Sequence, residues 1–259
     1  MDSARSAIQS TLAPMTVRPW LATLILLPLL LQGHPAQSAP KHKPTRHSTA
    51  RRQPKPTPTP ALAATRFAKL GPAACRQELR RLGASVKAAR GPTNGVAVPV
   101  RLSGPLGNIQ FQTPHARSPY SLLDCRLALA LEKLAELLAE SNVMAVRIDN
   151  FYRPKARLPH SRKKSQHAYG LAVDITEFTL NDGQVLNVER DWGGRIGAPV
   201  CGTGTKADPS PKAALLQRIV CQVYEAGIFH HLLTPNFNRA HKNHFHFDIR
   251  RGDTTSTIE

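Results

Sequence analysis

The sequence predicts an α+β fold. Apolar residues recur with helical period in some stretches and alternate in others, but the two kinds do not follow one another as regular βαβ units. Neither a Gly-rich phosphate loop nor a Gly-x-Ser-x-Gly elbow occurs in the 259 residues. The one long apolar run sits near the amino terminus, which excludes a polytopic membrane protein.

In chain order, Arg18 precedes the run Trp20–Leu31, broken by Pro28 and followed by the small-residue stretch Ala36-Gln-Ser-Ala39. The run is too short to span a bilayer, and its flanks match a secretory signal. Residues 1–39 are therefore expected to be a cleaved signal peptide, leaving a periplasmic or secreted chain. Residues 40–64, with Pro54-Lys-Pro-Thr-Pro-Thr-Pro60, read as a Pro/Lys/Arg-rich disordered linker. The folded domain is expected over 65–252, with 253–259 as a tail.

Within the domain, Val98–Leu102 and Asn108–Gln112 read as short strands, the first an edge strand because of Pro99. Ser121-x-x-Asp124 resembles a capping box opening a helix over Leu122–Glu140. There Leu123, Leu127, Leu131, Leu134 and Leu138 form an apolar stripe. Strands are expected at Val143–Ile148, Leu171–Thr176 and Gln184–Val188. Ser210-Pro211 supplies the cap and first-turn proline of a helix ending near Gly227. The last strand is His244–Ile249. The four cysteines lack CxxC spacing and read as two disulfides in an exported chain. Three pairings are open from sequence; the one expected joins Cys75 to Cys125 and Cys201 to Cys221, each within one half of the fold.

The net charge of +18 is concentrated in two places. Residues 41–90 carry thirteen basic groups and one acidic, and residues 150–174 carry six basic groups against Asp174 alone. No aromatic residues interleave with a basic face, so nucleic acid is not the expected partner. A basic tether suits an anionic envelope surface. The chain is expected to act as a monomer.

Two segments carry the chemistry: Ser165-Gln-His-Ala-Tyr-Gly-Leu-Ala-Val-Asp174 and His241-Lys-Asn-His-Phe-His-Phe-Asp248. Alternation sends His244, His246 and Asp248 to one strand face, and Phe245, Phe247 and Ile249 to the core. Leu171, Val173 and Ile175 likewise leave Asp174 on the opposite face. If the two strands share a sheet, His246 and Asp174 meet, and a bend at Gly170 brings His167 back to them. Two imidazoles and a carboxylate with an open fourth position suit catalytic zinc. A non-haem iron triad uses the same ligand types but needs a wider open face.

Ser165-x-His167-x-x-Gly170-x-Ala172-x-Asp174 with His244-x-His246 resembles the zinc peptidases that include lysostaphin, murein endopeptidase, D-Ala-D-Ala carboxypeptidases and Hedgehog amino-terminal domains. Within that group, the Pro-rich front, Asp182-Gly183, Asp191-Trp192 and Pro235–His241 resemble the bacterial extensin-like carboxy-terminal domain, over about residues 70–250. The resemblance implies a small, mostly antiparallel sheet flanked by helices, with Zn2+ on one face held by His167, Asp174 and His246. It implies that His244 lies beside the metal without ligating it. Asn243 stands where some members carry a Glu base, and the His241-x-x-His244 pattern is nearer the murein endopeptidase branch, which makes His241 and His244 the catalytic candidates. Arg153, in Tyr152-Arg153, suits a substrate carboxylate or an oxyanion. The expected function is a zinc-dependent peptidase, endopeptidase or carboxypeptidase, acting on peptidoglycan peptides. The alternatives are a non-catalytic zinc-containing wall- or partner-binding module and, on the proline tract alone, a structural wall protein.

Overall fold

The structure, a computed structural model, describes residues 62–89, 93–115, 118–159, 161–205 and 209–259. The expected signal peptide, and the linker as far as residue 61, lie outside the described residues.

Helices α1 (Ala63–Lys69) and α2 (Pro72–Arg81) open the fold, with Gly71 and the first-turn Pro72 separating them. Strands β1 (Val86–Ala88), β2 (Pro99–Leu102) and β4 (Leu123–Asp124) form a small antiparallel sheet in the order β1-β2-β4. The large sheet takes β3 (Gln110–Gln112), β5 (Val143–Asn150), β6 (Ala172–Leu180), β7 (Val185–Asn187), β8 (His231–Leu233), β9 (Phe245–Asp248) and β10 (Thr257–Ile258). Its order is β10-β8-β9-β6-β5-β3, with β7 also paired to β6. Helix α3 (Cys125–Glu140) packs on β5, α1, α2 and α5 (Pro211–Glu225), and the short α4 (Val188–Asp191) packs on β6 and α5.

The fold is α+β, but the sheet departs from a small antiparallel one. It has seven strands and is mixed, because β3 pairs parallel to β5 and β10 parallel to β8. Strand β10 also falls within 253–259, so that segment closes the sheet edge instead of forming a tail: Thr234 N–H donates to Glu259 O and Glu259 N–H to Leu232 O.

Helix α3 begins at Cys125, three residues later than the capping-box reading places it. Asp124 is the cap, accepting from the Arg126 N–H at 3.0 Å. The same buried carboxylate also accepts from the amides of Ala97 and Val98 and from the Arg126 guanidinium, so it joins the segment leading into β2 to the helix start. Ser121 instead lies in a 3-10 turn, where its hydroxyl donates to Pro114 O. The stripe Leu123, Leu127, Leu131, Leu134 and Leu138 is fully buried, each side chain contributing about 1.5–3 kcal/mol relative to exposure.

Both disulfides join the expected cysteines. Cys75–Cys125 ties α2 to the start of α3, and Cys201–Cys221 ties the preceding loop to α5. Phe245 and Phe247 of β9 face the core, where Trp192 meets Phe245 edge-on at 5.1 Å and Phe229 lies 5.2 Å from Phe247. Packing on that face holds β9 with its other face, the one carrying His246, toward the site.

Candidate metal centre

Strands β6 and β9 pair antiparallel with Asp174 directly opposite His246. Directly opposed side chains lie on one face of a sheet, so the register alone brings the carboxylate and the imidazole together. Ahead of β6, Ser165 caps the 3-10 turn Gln166–Tyr169, its hydroxyl accepting from the His167 N–H. Gly170 ends the turn at φ +62°, and a Cβ there would lie 3.0 Å from Asp124 N and 3.3 Å from Leu123. Only glycine suits both the backbone and the space. The turn carries His167 back over Asp174, as the sequence predicts.

Three atoms converge. His167 Nε2 lies 3.1 Å from Asp174 Oδ1 and 3.1 Å from His246 Nδ1, and His246 Nδ1 lies 2.9 Å from Asp174 Oδ1. All three side chains are buried. The outer nitrogens fix the tautomers. His167 Nδ1 lies 3.1 Å from the Phe151 carbonyl oxygen, which can only accept, so Nδ1 carries the hydrogen and Nε2 of the neutral ring is bare. His246 Nε2 donates to Asp248 Oδ2 at 3.2 Å, which leaves Nδ1 of the neutral ring bare. Two nitrogen lone pairs and a carboxylate oxygen thus face one another. Zinc bonds of about 2.0–2.1 Å at tetrahedral angles set ligand atoms roughly 3.3 Å apart, close to this triangle. The residues present fit such an ion.

The electrostatics agree with three acceptors crowded together. Burial pushes the Asp174 carboxyl up, but His167 and His246 outweigh it and hold it well below the ordinary carboxylate range. For His246, burial alone would lower the pKa, yet hydrogen bonds to Asp174 and Asp248 raise it to about 9. Without an ion, a proton takes the shared position. His167 is held low by burial against the opposing pull of Asp174.

His244 and His241 flank the triangle. His244 stands one residue before β9, with Nδ1 donating to Asn243 Oδ1 at 2.8 Å and bare Nε2 3.7 Å from Asp174 Oδ1. His241 donates through Nδ1 to Asn238 Oδ1 at 2.8 Å, and the Ala240 N–H, donating to that same oxygen, fixes its orientation. The two rings lie 5.1 Å apart. Burial lowers the pKa of both; neighbouring His244 and His246 help bring that of His241 to about 4. Both rings are neutral bases at pH 7.

Arg153 is exposed just after β5, its N–H donating to His167 O at 3.1 Å. Its charge contributes to the lowered pKa of His167 and His241. It opens a hairpin, bridged between Arg157 and Lys164, on which Lys155, Arg157, Arg162, Lys163 and Lys164 are exposed.

A family profile described as "Extensin-like protein C-terminus" matches residues 73–257, more than two thirds of the chain. The chain belongs to this family. No curated protein matches it. Two of the segments noted in the sequence meet here, where Asn236 accepts from Trp192 Nε1 and donates to Ala198 O, and in the second of them Asn238 orients His241 beside the site.

Three supporting roles escape sequence reasoning. Asp248 is placed on the correct face by alternation, but its role in fixing the His246 tautomer depends on a contact that spacing alone does not specify. Arg250 in turn holds the Asp248 carboxylate. Asn150, beside Asp174 on β5, leaves no sequence signal at all.

Proposed function

We propose that this protein is a zinc-dependent peptidase acting on peptidoglycan peptides in the cell envelope. The observation that carries the reading is the convergence of three lone pairs on His167, Asp174 and His246 beside two neutral histidines. A zinc ion held by those three residues would acidify a water and polarise a peptide carbonyl. His244 then accepts the proton of the attacking water at its bare Nε2, and the same nitrogen can return it to the departing amine. Its Nδ1–H bond to Asn243 keeps that tautomer, so position 243 orients the base where a Glu would itself be one. Burial around His244 disfavours a lasting positive charge there and eases the second transfer, with the neutral ring of His241 beside it. Arg153 supplies positive charge at the rim for an oxyanion or a substrate carboxylate.

An exported location supports an envelope substrate. Two disulfides are compatible with an oxidising compartment, and among the described residues no helix is long and apolar enough to cross a membrane. The basic hairpin beside the site favours anionic substrates, such as wall peptides with free carboxylates. The rival reading, a non-catalytic wall-binding module, draws on Asn243 replacing a Glu. Digesting purified peptidoglycan with the zinc-loaded protein and weighing the released fragments separates them. Peptide fragments that vanish with chelator support the peptidase; sedimentation with the wall and no fragments supports the module.

A further inference from the structure

The end of β5 is irregular where it passes the site. Arg147 pairs with Glu177, Ile148 with Ile175 and Asn150 with Asp174, so the register shifts twice within four residues. Had the Ile148–Ile175 pairing continued regularly, Asp149 would stand opposite Asp174, and two like charges would face each other. The second shift puts Asn150 there instead, as bulges near functional sites commonly re-aim a side chain.

Asn150 is 4% exposed, and its amide nitrogen lies 2.9 Å from Asp174 Oδ2 and 2.8 Å from Asp149 Oδ2. Both carboxylates need donors, so both amide hydrogens are committed and the amide cannot be turned over. Its oxygen, Asn150 Oδ1, is buried with no hydrogen-bond partner. A buried acceptor without a donor costs stability, so what holds the amide in this orientation is the pair of bonds it donates to Asp149 and Asp174.

Resting on the metal reading above, we propose that Asn150 is a positioning residue that selects the ligand oxygen of Asp174. By occupying Oδ2 it leaves Oδ1 alone facing His167 Nε2 and His246 Nδ1, which fixes the carboxylate as a one-oxygen ligand. The Asp149–Asn150–Asp174 chain is the carboxylate counterpart of the Asp248 bond that orients His246.

The test compares wild type, Asn150→Ala and Asn150→Leu, the last filling nearly the same volume, in the full chain with its disulfides intact. Zinc affinity is measured by competition with a chelator, thermal unfolding on the zinc-free protein, and ligand geometry from the visible spectrum with Co2+ in place of zinc. The proposal expects zinc affinity to fall about 10–100-fold in both variants. It also expects weaker cobalt absorption in both variants, as the freed carboxylate chelates and raises the coordination number, and a lower zinc-free midpoint, because the buried Asp174 Oδ2 loses its donor. Wild-type affinity in either folded variant would overturn it, as would a loss of affinity with the wild-type cobalt spectrum retained in both. If wild type itself takes up neither zinc nor cobalt, the metal reading fails and this inference with it, an outcome distinct from equal binding by all three.

Discussion

Zinc and a proton should compete for the same nitrogen, His246 Nδ1. With its pKa raised to about 9, His246 is about 99% protonated at pH 7 in the metal-free protein. An incoming ion must displace that proton, so apparent zinc affinity should change about tenfold per pH unit below 9, or about 100-fold between pH 8 and pH 6. An ordinary histidine with a pKa near 6.5 would give only about fourfold over the same interval. The sign follows from the direction of the shift. A folded-state pKa above the unfolded one stabilises the metal-free protein fully below about pH 6.5, and that stability is lost as pH rises through 9. His241, held at about 4, acts oppositely: its contribution is present above 6.5 and lost as pH falls toward 4. Zinc affinity is to be measured against a chelator of known protonation at pH 6, 7 and 8, with calorimetry in two buffers to count released protons. A change of fourfold or less, with no proton released at pH 7.5, would refute the account of three facing acceptors.

Three further outcomes follow. His244→Ala should keep one zinc per chain while turnover falls about 10²–10⁴-fold; metal loss reversed by excess zinc would make His244 a support of the ion and not a base. Asp248→Ala frees the outer nitrogen of His246 and should weaken zinc binding about 10–100-fold, read by the same chelator competition. Gly170→Ala forces a Cβ onto backbone 3.0 Å away at a positive φ, and should cost about 1–3 kcal/mol in denaturant unfolding.

What the sequence made legible is what depends on local period. Alternation around Phe245, Phe247 and Ile249 predicts which face is core, and the same alternation puts His246 and Asp174 on the other; the β6–β9 register then makes them direct partners. The leucine stripe of α3 was equally readable because a 3.6-residue period is a local property. The start of that helix was not, because Asp124 is drawn to the cap by amides of Ala97 and Val98, about 26 residues away. The parallel edges of the sheet leave no trace either, since β3 joins β5, and β10 joins β8, across long intervening segments. Asn150 is the clearest case. Its place opposite Asp174 arises from a register shift, and alternation along β5 alone does not predict where such a shift falls.

The central claim is that His167, Asp174 and His246 hold one metal ion. Native mass spectrometry and X-ray absorption on the purified, disulfide-bonded protein test it most directly. The account predicts one zinc per chain, coordinated by two imidazole nitrogens and one carboxylate oxygen at about 2.0–2.2 Å, and none in Asp174→Ala or His246→Ala. Wild type with no bound ion after incubation in zinc at pH 8, or an ion retained with the same shell in both variants, would contradict it.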